Sequence, residues 1–175
     1  MTGPLHRAKD AVNKLEPVKE LAQLRHAFGC FPSGVAAVCA TADGAPVGLA
    51  ASSFTSVSVA PPLVSVCIQH SSTTWPALRQ LPRLGVSVLA EGQGEICNRL
   101  ADKTGDRFAG TDWSASPDGS LFVHGATLWL DCTIHAEVPS GDHDIVLLRI
   151  HGLRADASTP PLVFHGSRYR RLAAI

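Results

Sequence analysis

Small and hydroxyl side chains crowd two stretches of this chain, and a histidine set between carboxylates marks a third. The first stretch is Gly48, Leu49, Ala50, Ala51, Ser52 and Ser53, with Thr55 and Ser56 close behind. A buried strand normally takes bulk. With so little of it here, a flat molecule has room to lie against the backbone, with N–H groups and hydroxyls as its partners. The second stretch is Ser71, Ser72, Thr73 and Thr74, just ahead of Trp75-Pro76. Exposed amides, a helix dipole and short hydroxyl side chains together suit an anion such as a phosphate. Helix capping alone also accounts for these residues, since Ser and Thr are ordinary N-caps. The third is Gly141-Asp142-His143-Asp144. His143 could serve as a proton donor, a metal ligand or a group that positions a substrate. The simpler account is a polar turn in which Asp142 caps the backbone.

Several other chemistries lack a foothold. No G-x-S-x-G elbow is present for nucleophilic hydrolysis. No G-x-G-x-x-G follows a strand, which removes the Rossmann route to a dinucleotide. The eight histidines include no H-x-H or H-x-x-x-H pair, so no metal is expected. Trp75, Phe108, Trp113, Trp129 and Tyr169 each read as core or interface before ligand platform. Fifteen basic residues balance fifteen acidic ones, so the footprint of a general nucleic-acid binder is missing. The RYRR cluster at Arg168–Arg171 reads as a solvated edge. Cys30, Cys39, Cys67, Cys97 and Cys132 are odd in number and contain no C-x-x-C. They read as reduced, structural thiols, which implies a cytoplasmic protein. No apolar run approaches the ~18 residues needed to span a bilayer, and the N-terminus has no signal-peptide core.

The elements that must position these residues follow from periodicity. The 175 residues suit one domain over 16–175 behind a flexible N-terminal arm over 1–15. A helix is expected from Pro17 to about Gly29, with Val18, Leu21, Ala22, Arg25 and Phe28 at three- and four-residue steps. Strands are expected near 35–41, 47–51, 54–59 and 63–70, with Ala42-Asp43-Gly44-Ala45-Pro46 turning between the first two. A short helix follows at Pro76, a buried strand near 85–90 and a helix over about 91–103. The segment from Thr104 to about Ser120 reads as a loop. The clearest period-2 stretch is 128–138, with Leu128, Leu130, Cys132, Ile134, Ala136 and Val138 on one face. Strands near 145–153 and 162–164 complete the set. Six or seven strands with few helices do not alternate as βαβα. The expectation is a mainly β, antiparallel split barrel with a few short helices.

Segments in order along residues 20–172 resemble the short-chain flavin reductases, the flavin reductase-like, FMN-binding split-barrel family. They are FPSGVAAVCA, GLAASSFTSVSVAPPLV, SVLAEGQ, DRFAG, LDCTIHAEVPSGDHDIVLLRI and VFHGSRYRRL. The resemblance implies a homodimer that binds FMN or FAD and is reduced by NADH or NADPH. It also implies that the chain supplies reduced flavin to a separate flavin-dependent monooxygenase. Gly48 to Ser53 would lie beside the flavin ring, Gln69 and Ser71 to Thr73 would hold the flavin phosphate, and Ser33 would face the flavin. Phe108 and Tyr169 would wall the nicotinamide or flavin pocket, and His143 would sit by the nicotinamide. Relatives usually carry Thr where this chain has Leu49, which leaves any contact there to the backbone. A flavin carrier or electron-transfer split barrel without reductase activity is the alternative, and an oxidase of the pyridoxamine-phosphate type is a third reading.

Overall fold

The computed structural model describes residues 15–173. Two units are distinguished, one ending at Phe31 and the other running from Pro32. The expected arm over 1–15 lies outside the described residues except for Leu15. In the first unit, helix α1 spans Leu21–Phe28. It opens four residues later than Pro17 because the Gln23 side chain accepts from the amides of Lys19 and Glu20 and sets the cap at Glu20. Gly29 closes it, its amide reaching the carbonyl of Arg25.

In the second unit, strands β1 (Ser33–Gly34), β2 (Ala36–Ala42), β3 (Ala45–Ala51), β4 (Thr55–Ser58), β5 (Leu63–Gln69) and β6 (Leu84–Val88) come first. A single helical turn, α2 (Trp75–Leu78), separates β5 from β6, and α3 (Gly94–Ala101) follows. Then come β7 (Trp113–Ala115), β8 (Leu121–Val123), β9 (Leu128–Ser140), β10 (His143–Ala155), β11 (Val163–His165) and β12 (Arg168–Arg170). One seven-stranded sheet holds β3-β2-β6-β9-β10-β5-β4, all neighbours antiparallel. Two small sheets, β1-β11-β12 and β7-β8, flank it. Asp43 and Gly44 join β2 to β3 with φ of 50° and 79°, as the two-residue turn of a tight hairpin requires.

The large sheet curls around one core. Val38, Leu49, Val66, Val86, Leu130 and Val146, one from each of six strands, meet in it. The hydroxyl of Ser53, just past β3, accepts from the amide of Cys67 in β5 at 2.8 Å and donates to its carbonyl at 3.3 Å. That two-way bond draws the far side of the sheet onto the edge strand and gives the mainly β, antiparallel split barrel its closure. The other face of β2 is also buried, with Ala37 and Cys39 packed beside Leu100, Phe108 and Leu121. A strand covered on both sides explains the unbroken apolar run from Val35 to Ala40.

Two segments differ from expectation. The stretch read as a loop over Thr104 to Ser120 contains β7, which pairs with β8. Three residues are too few to reveal a period. Arg168–Arg170, read as a solvated edge, is strand β12, whose arginines are exposed while the Tyr169 ring lies against α3. All five cysteines are free thiols. Burial pushes Cys39 and Cys132 up to about 12, so they behave as small core hydrophobes. Cys67, by contrast, faces outward. Among the described residues no helix is long and apolar enough to cross a membrane.

Candidate active site

A cleft of ≈ 340 Å³ opens where the ends of β3 and β5 meet. Leu49 to Ser53, Gln69, Ser71, Ser72, Thr73 and His143 all line it, with Cys67, Thr74, Lys103 and Arg107 among their neighbours. Strand register accounts for the gathering. β5 and β10 pair so that Gln69 lies opposite His143, and the amide of His70 donates to the carbonyl of Asp142. The bond from Ser53 to Cys67 brings the small-residue strand alongside.

The side chains of β3 are divided between two cores. Leu49 and Ala51 point into the barrel, so Leu49 meets the cleft through its backbone. Gly48 is buried on the opposite side, where a Cβ would stand 2.5 Å from Cys39 Sγ and 2.9 Å from Phe108 Cζ. Its smallness is therefore a packing requirement, and it lines a neighbouring hollow instead of the cleft. β3 is an edge strand, paired only with β2. The carbonyl of Gly48 accepts from Arg107 Nη1 at 3.0 Å and so points away from β2. In an antiparallel strand the amide and carbonyl of one residue share a side, and sides alternate. Ala50 consequently presents one donor and one acceptor on the same open edge, towards the cleft.

The hydroxyl loop after β5 is held from behind. Trp75 is buried and its Nε1 donates to Glu137 Oε1 at 3.0 Å, while Arg79 pairs with Glu137 Oε2 at 2.7 Å. Ser72 Oγ accepts from the amide of Trp75 at 3.1 Å, so one of the four hydroxyls does serve as a cap. Helix α2 is only four residues long, too short for the expected helix dipole to matter. Ser52, Ser71 and Thr73 line the cleft, and their hydroxyls make no hydrogen bond among the described residues.

Two cations complete the site, and both were missed as site residues in the sequence. Lys103 follows α3, and Arg107 sits on the Asp106-Arg107-Phe108 turn. Asp106 Oδ1 accepts from the amide of Phe108, whose buried ring anchors that turn. Arg107 Nη1 reaches both the Gly48 carbonyl and Thr74 Oγ1. Neither cation is ion-paired among the described residues. The DRF motif was the signal available for Arg107. Isolated charges in a loop carry no period that would select them.

At the cleft mouth, His143 Nδ1 and Asp142 Oδ1 stand 2.7 Å apart, and His70 Nε2 lies 3.1 Å from Asp144 Oδ1. The hydrogen bond from His143, with the attraction of its ring, holds the Asp142 carboxyl below the usual range. Asp144, expected beside His143, is thus engaged with His70, and the Nε2 of His143 remains without a protein partner among the described residues. Besides Gly48, three expected residues lie elsewhere. Ser33 pairs with Phe164 in the small sheet. Tyr169 packs on Gly94 and donates to Asn98 Oδ1 at 2.6 Å. Phe108 lines only the neighbouring hollow. No group of three His, Cys, Asp or Glu side chains among the described residues could hold a metal ion.

The donor set fits a flat polar ring system ending in a phosphate. An open strand edge offers paired donor and acceptor groups, and hydroxyls with two cations follow at one end. Comparison with known proteins agrees. The family described as "Flavin reductase like domain" matches residues 28–173. A flavin reductase of Pseudomonas putida is 38% identical over 152 residues, covering 86% of this chain and 89% of the relative. The reductase subunit HsaB of a flavin-dependent monooxygenase from Rhodococcus jostii (strain RHA1) is 35% identical over 147 residues, covering 84% and 75%. The Streptomyces globisporus C-1027 NADH:FAD oxidoreductase SgcE6, solved in complex with NAD and FAD fragments, superposes with a TM-score of 0.84 at 36% identity, covering 91% of this chain and 98% of that one. The chain belongs to the flavin reductase-like domain family.

Proposed function

We propose that this protein is an NAD(P)H:flavin oxidoreductase that supplies reduced FMN or FAD to a separate flavin-dependent monooxygenase. The observation that carries the reading is the single cleft uniting the open edge of β3 with free hydroxyls and two unpaired cations. Ala50 would hydrogen-bond the polar edge of the ring, and Ser52 would meet the ring edge or the ribityl chain. Gln69, Ser71, Thr73, Lys103 and Arg107 would hold the phosphate. Ser53 acts from behind, because its hydroxyl is engaged with the Cys67 backbone. A bound flavin would supply, at N5, the acceptor for hydride from C4 of a reduced nicotinamide, chemistry that belongs to the cofactors.

The chain's own contribution is alignment and charge. Small side chains at Ala50 and Ala51 allow face-to-face approach, and fixed donors favour negative charge on the ring. His143, its Nδ1 oriented by Asp142, holds Nε2 towards the cleft for the nicotinamide carboxamide. This role favours the reductase over a flavin carrier without activity. Relatives named as a flavin reductase and as a monooxygenase reductase subunit support the same assignment. A homodimer in which each copy carries one cleft is part of the proposal.

The test combines both nucleotides with both flavins and follows nicotinamide absorbance, with flavin binding measured separately by fluorescence. Wild type should turn over at least one pair. His143→Ala should raise KM for the nucleotide while leaving flavin affinity in place. Binding without turnover would favour the carrier, and unchanged kinetics in the variant would remove His143 from the mechanism.

A further inference from the structure

The alternation along β9 does not run to its end. Leu130 and Cys132 lie in the barrel core and Ile134 packs against it, and the same period would put Ala136 and Val138 inside and Glu137 outside. The pairing with β10 slips by one residue instead. Leu148 lies opposite Ile134 and Leu147 opposite Ala136, which leaves His135 exposed and unpaired. This β-bulge exchanges the two faces of the strand. Glu137 pairs with Val146, a fully buried core residue, while Val138 is left 46% exposed. A carboxylate turned towards a core needs donors, and Glu137 has two. Trp75 Nε1 donates to Oε1 at 3.0 Å and Arg79 Nη2 donates to Oε2 at 2.7 Å. We infer that Glu137 is a positioning residue for flavin binding, fixing through Trp75 the groups that receive the flavin phosphate. The inference rests on the cleft reading proposed above.

Trp75 is the point at which that grip reaches the cleft. Its side chain is buried in the barrel core, where the indole N–H needs a partner and Glu137 supplies it. Its backbone amide donates to Ser72 Oγ at 3.1 Å, and the Ser72 amide donates to the Gln69 carbonyl at 2.9 Å. Ser71 and Thr73 flank Ser72 within this chain of bonds. On the residue before Trp75, Thr74 Oγ1 accepts from Arg107 Nη1. Two hydroxyls and one guanidinium of the phosphate seat are thus referred to the place of one indole. Arg79 offsets the charge of Glu137, so the carboxylate does not stand unpaired behind an anion. Support of this kind, locked by packing and by hydrogen bonds one residue removed from the ligand, sets how well a site fits. Riboflavin lacks the phosphate, so its binding does not draw on these groups.

FMN and riboflavin are titrated by fluorescence against wild type, Glu137→Ala, Glu137→Gln and Trp75→Phe, with urea unfolding followed in parallel. Wild type should bind FMN more tightly than riboflavin. Glu137→Ala should weaken FMN by about five- to tenfold and riboflavin by less than about twofold, within the worth of the charged hydrogen bond removed. Saturating FMN should restore its turnover, so that KM for the flavin moves and kcat does not. Trp75→Phe keeps a ring in the core and removes only the donor. It should show the same selective loss, and it carries the test if Glu137→Ala does not fold. Glu137→Gln keeps an acceptor for the indole and should hold FMN within about threefold of wild type. Parallel losses of FMN and riboflavin, or destabilisation with an unchanged FMN-to-riboflavin ratio, would overturn the inference and leave Glu137 a residue of the fold alone. A glutamine variant as weak for FMN as the alanine variant would also overturn it. Equal affinities of wild type for FMN and riboflavin would instead strike the phosphate seat itself, and the inference with it.

Discussion

Replacing Gly48 by Ala separates two explanations of the small-residue strand. If the strand is small because a ligand approaches it, the variant should fold normally and lose flavin. The packing gives a different expectation. An added Cβ would lie 2.5 Å from Cys39 Sγ and 2.9 Å from Phe108 Cζ, well inside the ~3.5–4.0 Å at which carbon contacts are favourable. Both neighbours are buried, Cys39 completely, so neither can swing into solvent. Overpacking of this kind costs ~1–3 kcal/mol, and two close neighbours argue for the upper end. The lower entropy of the unfolded alanine chain returns ~0.4–1 kcal/mol. The net loss is about 2 kcal/mol, which lowers Tm by roughly 4–8 °C in a chain of this size. Cys39→Ala removes the nearer obstacle and alone should cost about 1 kcal/mol for the void it leaves. In the double variant the two changes should compensate, with a coupling of at least about 1 kcal/mol in urea unfolding. Strict additivity, or a Gly48→Ala protein as stable as the parent but unable to bind flavin, would refute the packing argument.

Three further outcomes follow from the same geometry. Ser53→Ala removes both bonds to the Cys67 backbone and should cost about 1–2 kcal/mol in urea unfolding; a loss below about 0.3 kcal/mol would mean the hydroxyl does not close the barrel. Alkylation followed by mass spectrometry should label Cys67 readily and Cys39 and Cys132 hardly at all, because burial holds the latter two thiols near 12. Saturating FMN should protect Cys67, and labelling at an unchanged rate would argue against a ligand in the cleft. Hydrogen bonds from Ser158 and Thr159 bring Asp156 down to about 2, below the ~3.9 of an unfolded aspartate. Its stabilising contribution is therefore complete above about pH 4 and is lost as pH falls towards 2. Carboxyl NMR should follow that titration, and Asp156→Asn should flatten this part of the acid unfolding curve.

Much of the barrel was legible because its strands carry bulk in alternation or in unbroken runs. Leu130 and Cys132 fall inward as the period of β9 requires, and Asp43-Gly44 turns where hairpin chemistry places it. The site was legible in part, since Ser71–Thr73 and Gly141–His143 sit at strand ends where loops gather. Position along the chain could not reveal why Gly48 is small, because Cys39 reaches it from the paired strand. Nor could it separate Ser52 from Ser53, adjacent hydroxyls of which one faces the cleft and the other binds backbone. Arg107 joins the site through a bond to a carbonyl some sixty residues away, and Lys103 joins it only because the chain after α3 runs past the cleft. Tyr169 and Ser33 suited a ligand wall by type, yet strand pairing carries both to the far sheet.

The fork made by Glu137 with Trp75 and Arg79 has a kinetic consequence. It holds α2, which directly follows the hydroxyl loop, so the loop's far end does not wait for a ligand to fix it. Ordering a mobile side chain on binding costs ~0.5–1.5 kcal/mol each, and a loop already in place avoids most of that charge. The same rigidity works in the other direction. A guest can depart without this loop having to reorder, so the loop itself should add little to residence time. For the release of reduced flavin that the proposed function requires, a loop already held in shape would be a sound arrangement.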